Sequence, residues 1–298
     1  MNMAHIGEIA ALLTACSWAI GATLFEQVTK KIGTIITNLL KVIIAFLLLS
    51  LLRWFTSSAP LPIDVPLNAW LWLSLSSIFG FIIGDLSLFH AFRMVGARIS
   101  MLVFSLSPTL AALGGFFFLG ERLNIISIAG IALTLCGILI VVLRRSPGDM
   151  YSVHAQKLKG ASFAAIATIG QATGYLFSKQ GMYFCDFITA TQIRLTVAIA
   201  GFGIIVLLSN SLGKVLNALH SRYVMPRLLL ASTSATFIGV ILSMFALQTA
   251  KVGIASTIMS TVPILLIAPA VFIFKERITA YEIFGTIAAV AGVALFFL

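Results

Sequence analysis

The chain has 298 residues, 60% of them hydrophobic and 9% charged, where soluble domains average roughly 45–50% apolar and about 25% charged. A water-soluble fold is excluded, because that much apolar surface cannot be hidden from water, and the bilayer is the solvent that remains. The net charge of +10 does not point to nucleic acid as a partner, since the basic residues stand as ones and twos between apolar runs and not along one polar face.

Apolar runs bounded by charged or proline-rich breaks predict ten helices, an all-α polytopic membrane protein. The first, near 6–29, lacks a basic leader and a small-residue cleavage pattern and reads as a retained span. It carries Thr14, Ser17 and Trp18, with Glu8 and Glu26 toward its ends. The second, near 33–54, holds Lys41 eight to ten residues inside, too deep for easy snorkelling. After a break with Pro60, Pro62 and Pro66 comes a third near 69–94, which carries a Gly80/Gly84 packing motif, Asp85 as the deepest acid, and His90. The fourth, near 97–119, has Pro108 at its centre, and the fifth spans about 124–143. A linker over 146–158 divides the chain. Beyond it the sixth, near 159–180, carries Gln171, Thr173 and Tyr175, and the seventh, near 187–208, carries Arg194. The eighth runs near 226–249, the ninth, near 252–274, centres on Pro263, and the tenth covers about 279–298.

Laid on itself at an offset of 155 residues, the sequence matches Gly84 with Gly239, Pro108 with Pro263, Glu121-Arg122 with Glu276-Arg277, and Gly137 with Gly292. At 153 it matches Gly21 with Gly174, Trp18 with Gln171, and Lys41 with Arg194. The chain therefore reads as two five-helix repeats, 1–145 and 159–298. Five is odd, so the second copy enters the membrane from the opposite side, giving an inverted pair of the kind that supports alternating access. Thirteen of the nineteen Lys and Arg residues fall on one side, which favours both termini outside.

The run Ala91-Phe92-Arg93-Met94-Val95-Gly96-Ala97 leads into Ser107-Pro108 and then Leu119-Gly120-Glu121-Arg122-Leu123. It is echoed by Ala246-Leu247-Gln248, Val262-Pro263 and Lys275-Glu276-Arg277-Ile278. With these marks the chain resembles the drug/metabolite transporter superfamily, and within it the EamA family of ten-helix carriers with two tandem five-helix domains. The resemblance implies a bacterial or archaeal inner-membrane carrier, commonly an exporter of amino acids or related metabolites, with a cavity between the repeats. Lys275 stands where the first repeat has Gly120, so the two helix ends are not equivalent.

The residues themselves nominate a midplane site. Lys41 and Arg194 read either as two cationic contacts for a substrate carboxylate or as a structural pair bonding helix ends. Asp85, whose counterpart is Val240, reads as a coupling group or as a salt-bridge partner of Lys41 or Arg194. Pro108 and Pro263 would each expose a carbonyl at mid-helix and line a cavity, or would kink the helices for packing. Trp18, Gln171 and Tyr175 read as substrate contacts or as interhelical hydrogen bonders. The expected function is secondary transport of a small-molecule substrate by a monomer or homodimer in the lipid bilayer, with a channel or an intramembrane enzyme as the alternatives. An enzyme is disfavoured, because there is no H-E-x-x-H motif and no second deep acid beside Asp85, and no G-x-x-x-x-G-K-[ST] supplies ATP binding. No cofactor or metal is expected, and Cys16, Cys136 and Cys185 suggest no disulfide framework.

Overall fold

The computed structural model describes residues 3–57, 62, 65–107, 109–111, 113–114, 125–143, 151–249 and 258–296. Its elements are α1 (Met3–Ile32), α2 (Thr34–Ser57), α3 (Leu67–Ser77), a π-helical segment (Ile78–Asp85) and α4 (Leu86–Phe104). Next come α5 (Ile125–Leu143), α6 (Tyr151–Gly181), α7 (Phe187–Leu208), α8 (Leu212–Leu219) and α9 (Val224–Ala231). A second π-helical segment (Ser232–Ile238) and α10 (Gly239–Thr249) follow, then α11 (Val262–Leu265), α12 (Ile267–Phe272) and α13 (Ala280–Phe296). The described residues contain no strand, and five helices are long and apolar enough to span a bilayer: Ile6–Ile32, Thr34–Phe55, Leu67–Phe104, Phe187–Leu208 and Val224–Ser243. Ile128–Leu143, Val262–Phe272 and Ala280–Leu295 are shorter apolar helices. The protein is thus a multi-pass, all-helical membrane protein.

Local chemistry accounts for several of the ends. The Asp186 carboxylate caps α7 by accepting from the Ile188 and Thr189 amides at 2.9 and 3.0 Å. At the other end Asn210 adopts φ 51°, and Ser211 N–H bonds back to Val206 O at 3.0 Å, a left-handed stop that turns the chain into α8. Thr279 and Glu282 form a reciprocal capping box at the start of α13, where Glu282 Oε2 accepts from Thr279 N–H at 3.0 Å.

The structure adds detail in three intervals. Within the interval 146–158, α6 begins at Tyr151; no glycine or proline interrupts Tyr151–Lys159, so nothing stops the helix from starting early. The sixth predicted span lies within α6 but is not among the five clear spans, since its Ser, Thr, Gln and Gly residues dilute its hydropathy and it is sheltered by neighbouring helices instead. The stretch between the seventh and eighth spans contains the helix α8.

The packing is reciprocal between the two halves. The stretch formed by α3, the first π segment and α4 packs along α6, while α9, the second π segment and α10 pack along α1. Helices α2 and α7 lie against each other, as do α5 and α13. The α5/α13 contact is backbone-close: a Cβ on Gly137 would fall 2.5 Å from Gly285 O, and one on Gly292 would fall 2.4 Å from Thr134 N. Without a hydrophobic force between helices in lipid, small residues that allow such approach supply the attraction. The largest apolar cluster collects Phe25, Leu40, Phe89, Phe92 and Leu266 from both halves.

Candidate functional site

Each half has a π-helical segment in its third helix, and at the 155 offset residues 78–85 fall on 233–240 beside the observed 232–238. Such wide turns are rare and concentrate at functional sites. The first turns Phe81, Gly84 and Asp85 toward α2, α6 and α7. Lys41 Nζ on α2 lies 2.6 Å from Asp85 Oδ2, and the pair is buried. Three rings surround the ammonium, with centroids 4.6 Å away for Phe89 and 5.8 Å for both Phe25 and Phe81. A charge in this setting needs both a counter-ion and polarisable neighbours, and Lys41 has them. Asp85 forms a salt bridge with Lys41.

Arg194 on α7 also lies against the Phe81 ring, its Cζ 4.7 Å from the centroid. Its guanidinium lies over Gly80, where an added Cβ would sit 3.1 Å from Nη2 and 3.5 Å from Gln171 Oε1. Gln171 shares a hydrogen bond with Tyr175. Ser77 Oγ donates to the Arg194 backbone carbonyl at 2.6 Å, fixing α7 against α3. The Nε of Arg194 is enclosed without an acceptor, and among the described residues no carboxylate comes within ion-pair distance of the guanidinium. The cluster of Lys41, Asp85, Gln171, Tyr175 and Arg194 thus carries two cations and one acid, Asp85, which is ion-paired with Lys41 and acts on Arg194 from beyond ion-pair distance.

The remaining nominated residues lie elsewhere. Trp18 packs on Gly239, where an added Cβ would be 2.7 Å from the indole, the position related by repeat to Gln171 beside Gly84. Pro263 is buried in the first turn of the short helix α11, which follows the turn at Ser260 and Thr261. There its missing N–H would be unsatisfied in any case, so it starts a helix and does not kink the middle of one. Pro108 lies outside the described residues, as does the Leu119–Leu123 run. His90 stacks on Phe163 at 5.1 Å.

Residue-type reasoning missed Phe81, since a phenylalanine in an apolar run gives no signal until two cations are found near its ring. It also missed an ion network around a helix break. Gly96 has φ 78° inside α4, a conformation open to glycine at little cost. The break frees the Ala97 N–H, which donates to Glu26 Oε2 at 2.6 Å. Glu26, buried on α1 and paired with Lys30, therefore caps the helix that resumes at Ala97. Arg98 Nε lies 3.2 Å from Glu276, and both Arg98 and Lys157 lie 3.8 Å from Glu282. Three cations and three anions from α1, α4, α6, α13 and the turn before α13 close one end of the molecule.

Among curated proteins no sequence matches the chain. The fold is similar to that of a solved crystal structure of a protein, with a TM-score of 0.66 at 15% identity, covering 97% of this chain and 95% of that one. The family model for the EamA-like transporter family matches residues 5–143 and again 158–298. With both halves matched over nearly their whole length, the chain belongs to the EamA-like transporter family.

Proposed function

We propose that the protein is a secondary active transporter that exports amino acids or related amphipathic solutes bearing a carboxylate. Two five-helix repeats, 1–145 and 159–298 about a short linker, cross the membrane ten times in inverted orientation and rock around a shared site. The setting is a bacterial or archaeal inner membrane. Support for the repeat comes from the exchanged packing, in which the third helix of each half lies on the first helix of the other. Mutual contact of this kind accompanies two-fold relations.

The observation that carries the reading is the unmatched cation. Arg194 sits enclosed on Phe81 with an unsatisfied Nε, whereas Lys41 is neutralised by Asp85. A half-buried guanidinium with an enclosed, unsatisfied Nε and no ion-paired carboxylate presents the planar fork that a carboxylate fits. Substrate then supplies the missing charge, with Gln171 and Tyr175 as polar contacts beside it and Trp18 and Pro263 toward the second half. Asp85 acts as the fixed partner of Lys41. Release requires the ion network at the Gly96 break to part, so that closure at one end and opening at the other alternate.

The test is counterflow in proteoliposomes with amino acids, organic carboxylates, nucleosides, sugars and organic cations. Saturable counterflow confined to carboxylate-bearing solutes is the expected result. Flux without saturation or counterflow indicates a pore, and saturable transport of organic cations alone overturns the role given to Arg194.

A further inference from the structure

The segment between α7 and α9 has no part in the proposed transport cycle. It joins two spans, Phe187–Leu208 and Val224–Ser243, so it lies where hydrocarbon gives way to headgroups. Within it, α8 is amphipathic in three directions. Val215 and Ala218 pack into the protein, with Val215 touching both the clusters around Leu40 and around Phe202. Leu212, Leu216 and Leu219, at i, i+4 and i+7, form an exposed apolar stripe, and Leu216 is 57% exposed. Lys214 and Asn217 occupy the remaining exposed face.

The charge around this helix has one sign. Lys214 and Arg222 are exposed, Arg227 lies over the Tyr223 ring at 3.8 Å, and residues 209–231 contain no Asp or Glu. Arg227 Nε also bonds Gln27 Oε1 at 3.1 Å, which brings Lys30 and Lys31 at the end of α1 to the same end of the molecule. An apolar stripe beside a basic rim is what an anionic bilayer surface accommodates, with acyl chains over the leucines and phosphodiesters at the cations.

We infer that α8 and the turn after it form an anionic-phospholipid docking site that seats this end of the transporter in the headgroup layer. The Arg227–Gln27 bond carries that seating to α1. The inference is independent of which solute is carried.

The full-length protein is placed in nanodiscs of phosphatidylcholine alone or with phosphatidylglycerol, and amide hydrogen exchange is followed over 212–219. Slower exchange of α8 in the anionic discs is expected. In native mass spectrometry, retained phosphatidylglycerol should fall about thirtyfold in affinity for the Lys214→Gln/Arg222→Gln variant, roughly fivefold per basic side chain. Both side chains are exposed, so the variant should fold normally, checked by its unchanged exchange elsewhere. Equal exchange in the two disc types, or equal lipid retention by variant and wild type, overturns the proposal. Protection that instead follows protein concentration in detergent, with a dimer in light scattering, also overturns it and assigns the stripe to a second copy.

Discussion

Lys41 and Arg194 match at the 153-residue offset and both lie near the ring of Phe81, yet their electrostatic states differ. Lys41 has Asp85 at 2.6 Å; the residue related to Asp85 is Val240, and among the described residues Arg194 has no carboxylate within ion-pair distance, feeling Asp85 only from farther off. Two cations matched by sequence offset therefore differ in that one is ion-paired and the other is not. In the proposed cycle the two halves rock between two states, and the cation that lacks an ion-paired acid receives the anionic group.

The most severe perturbation of this pair of cations is Asp85→Asn, which strands a buried ammonium. It should lower the unfolding free energy by about 3–5 kcal/mol, measured by denaturant titration in micelles, and Lys41→Met/Asp85→Leu should recover most of the loss. If the single variant is as stable as the parent, the pair does not hold α2 to the π segment.

Arg194→Gln probes the other member. Transport of carboxylate solutes should fall about 100-fold, the loss anticipated when one partner of a buried charge pair is removed. Stability should stay within about 0.5 kcal/mol or rise, because a costly charge has gone. A Val240→Asp variant would test the same asymmetry from the other direction by supplying an internal acid on the second half; transport should drop while stability holds.

A smaller effect is expected where the π segment touches α6. A Cβ on Gly174 would lie 3.0 Å from Gly80 Cα, so Gly174→Ala must push backbone apart at about 1–3 kcal/mol. Gly203, with nothing within 4 Å of an added Cβ, should tolerate alanine. Equal tolerance at both would mean that the helices are not held in close contact.

The smallest change concerns the entry of the helix that carries Arg194. Asp186→Ala should cost about 1 kcal/mol through loss of the cap. Burial pushes the Asp186 carboxyl up, but hydrogen bonds from the Thr189 hydroxyl and amide and from the Ile188 amide, with Arg53 nearby, outweigh it and hold its pKa below the ordinary value. A depressed pKa gives stability that is present above about pH 4 and lost as pH falls through the folded value. The difference between parent and variant should therefore narrow when unfolding is measured at pH 3 instead of pH 7.

Much of the fold is legible along the chain. The ends of α7 follow from Asp186 and Asn210, and the matched Lys41/Arg194 and Gly84/Gly239 pairs mark the repeat by spacing alone. Other features are not legible there. Gly96 reads as one glycine among 23 until its φ of 78° is known, and Pro263 reads as a mid-helix kink because the turn that comes ahead of it has no strong composition. The amphipathic pattern of α8 is present in the sequence, but at eight residues it is too short to stand out between two spans.

Hydropathy and repeat period are sums over neighbouring residues, so the linear chain is enough to settle the solvent, the helical content and the duplication. Folding in three dimensions is what pairs Asp85 with Lys41 and brings Arg194 against Phe81. Those pairings join residues 44 and 113 positions apart in sequence. They depend on where π-widened helices cross, a geometry set by glycine contacts between helices and not by the local pattern of any one of them.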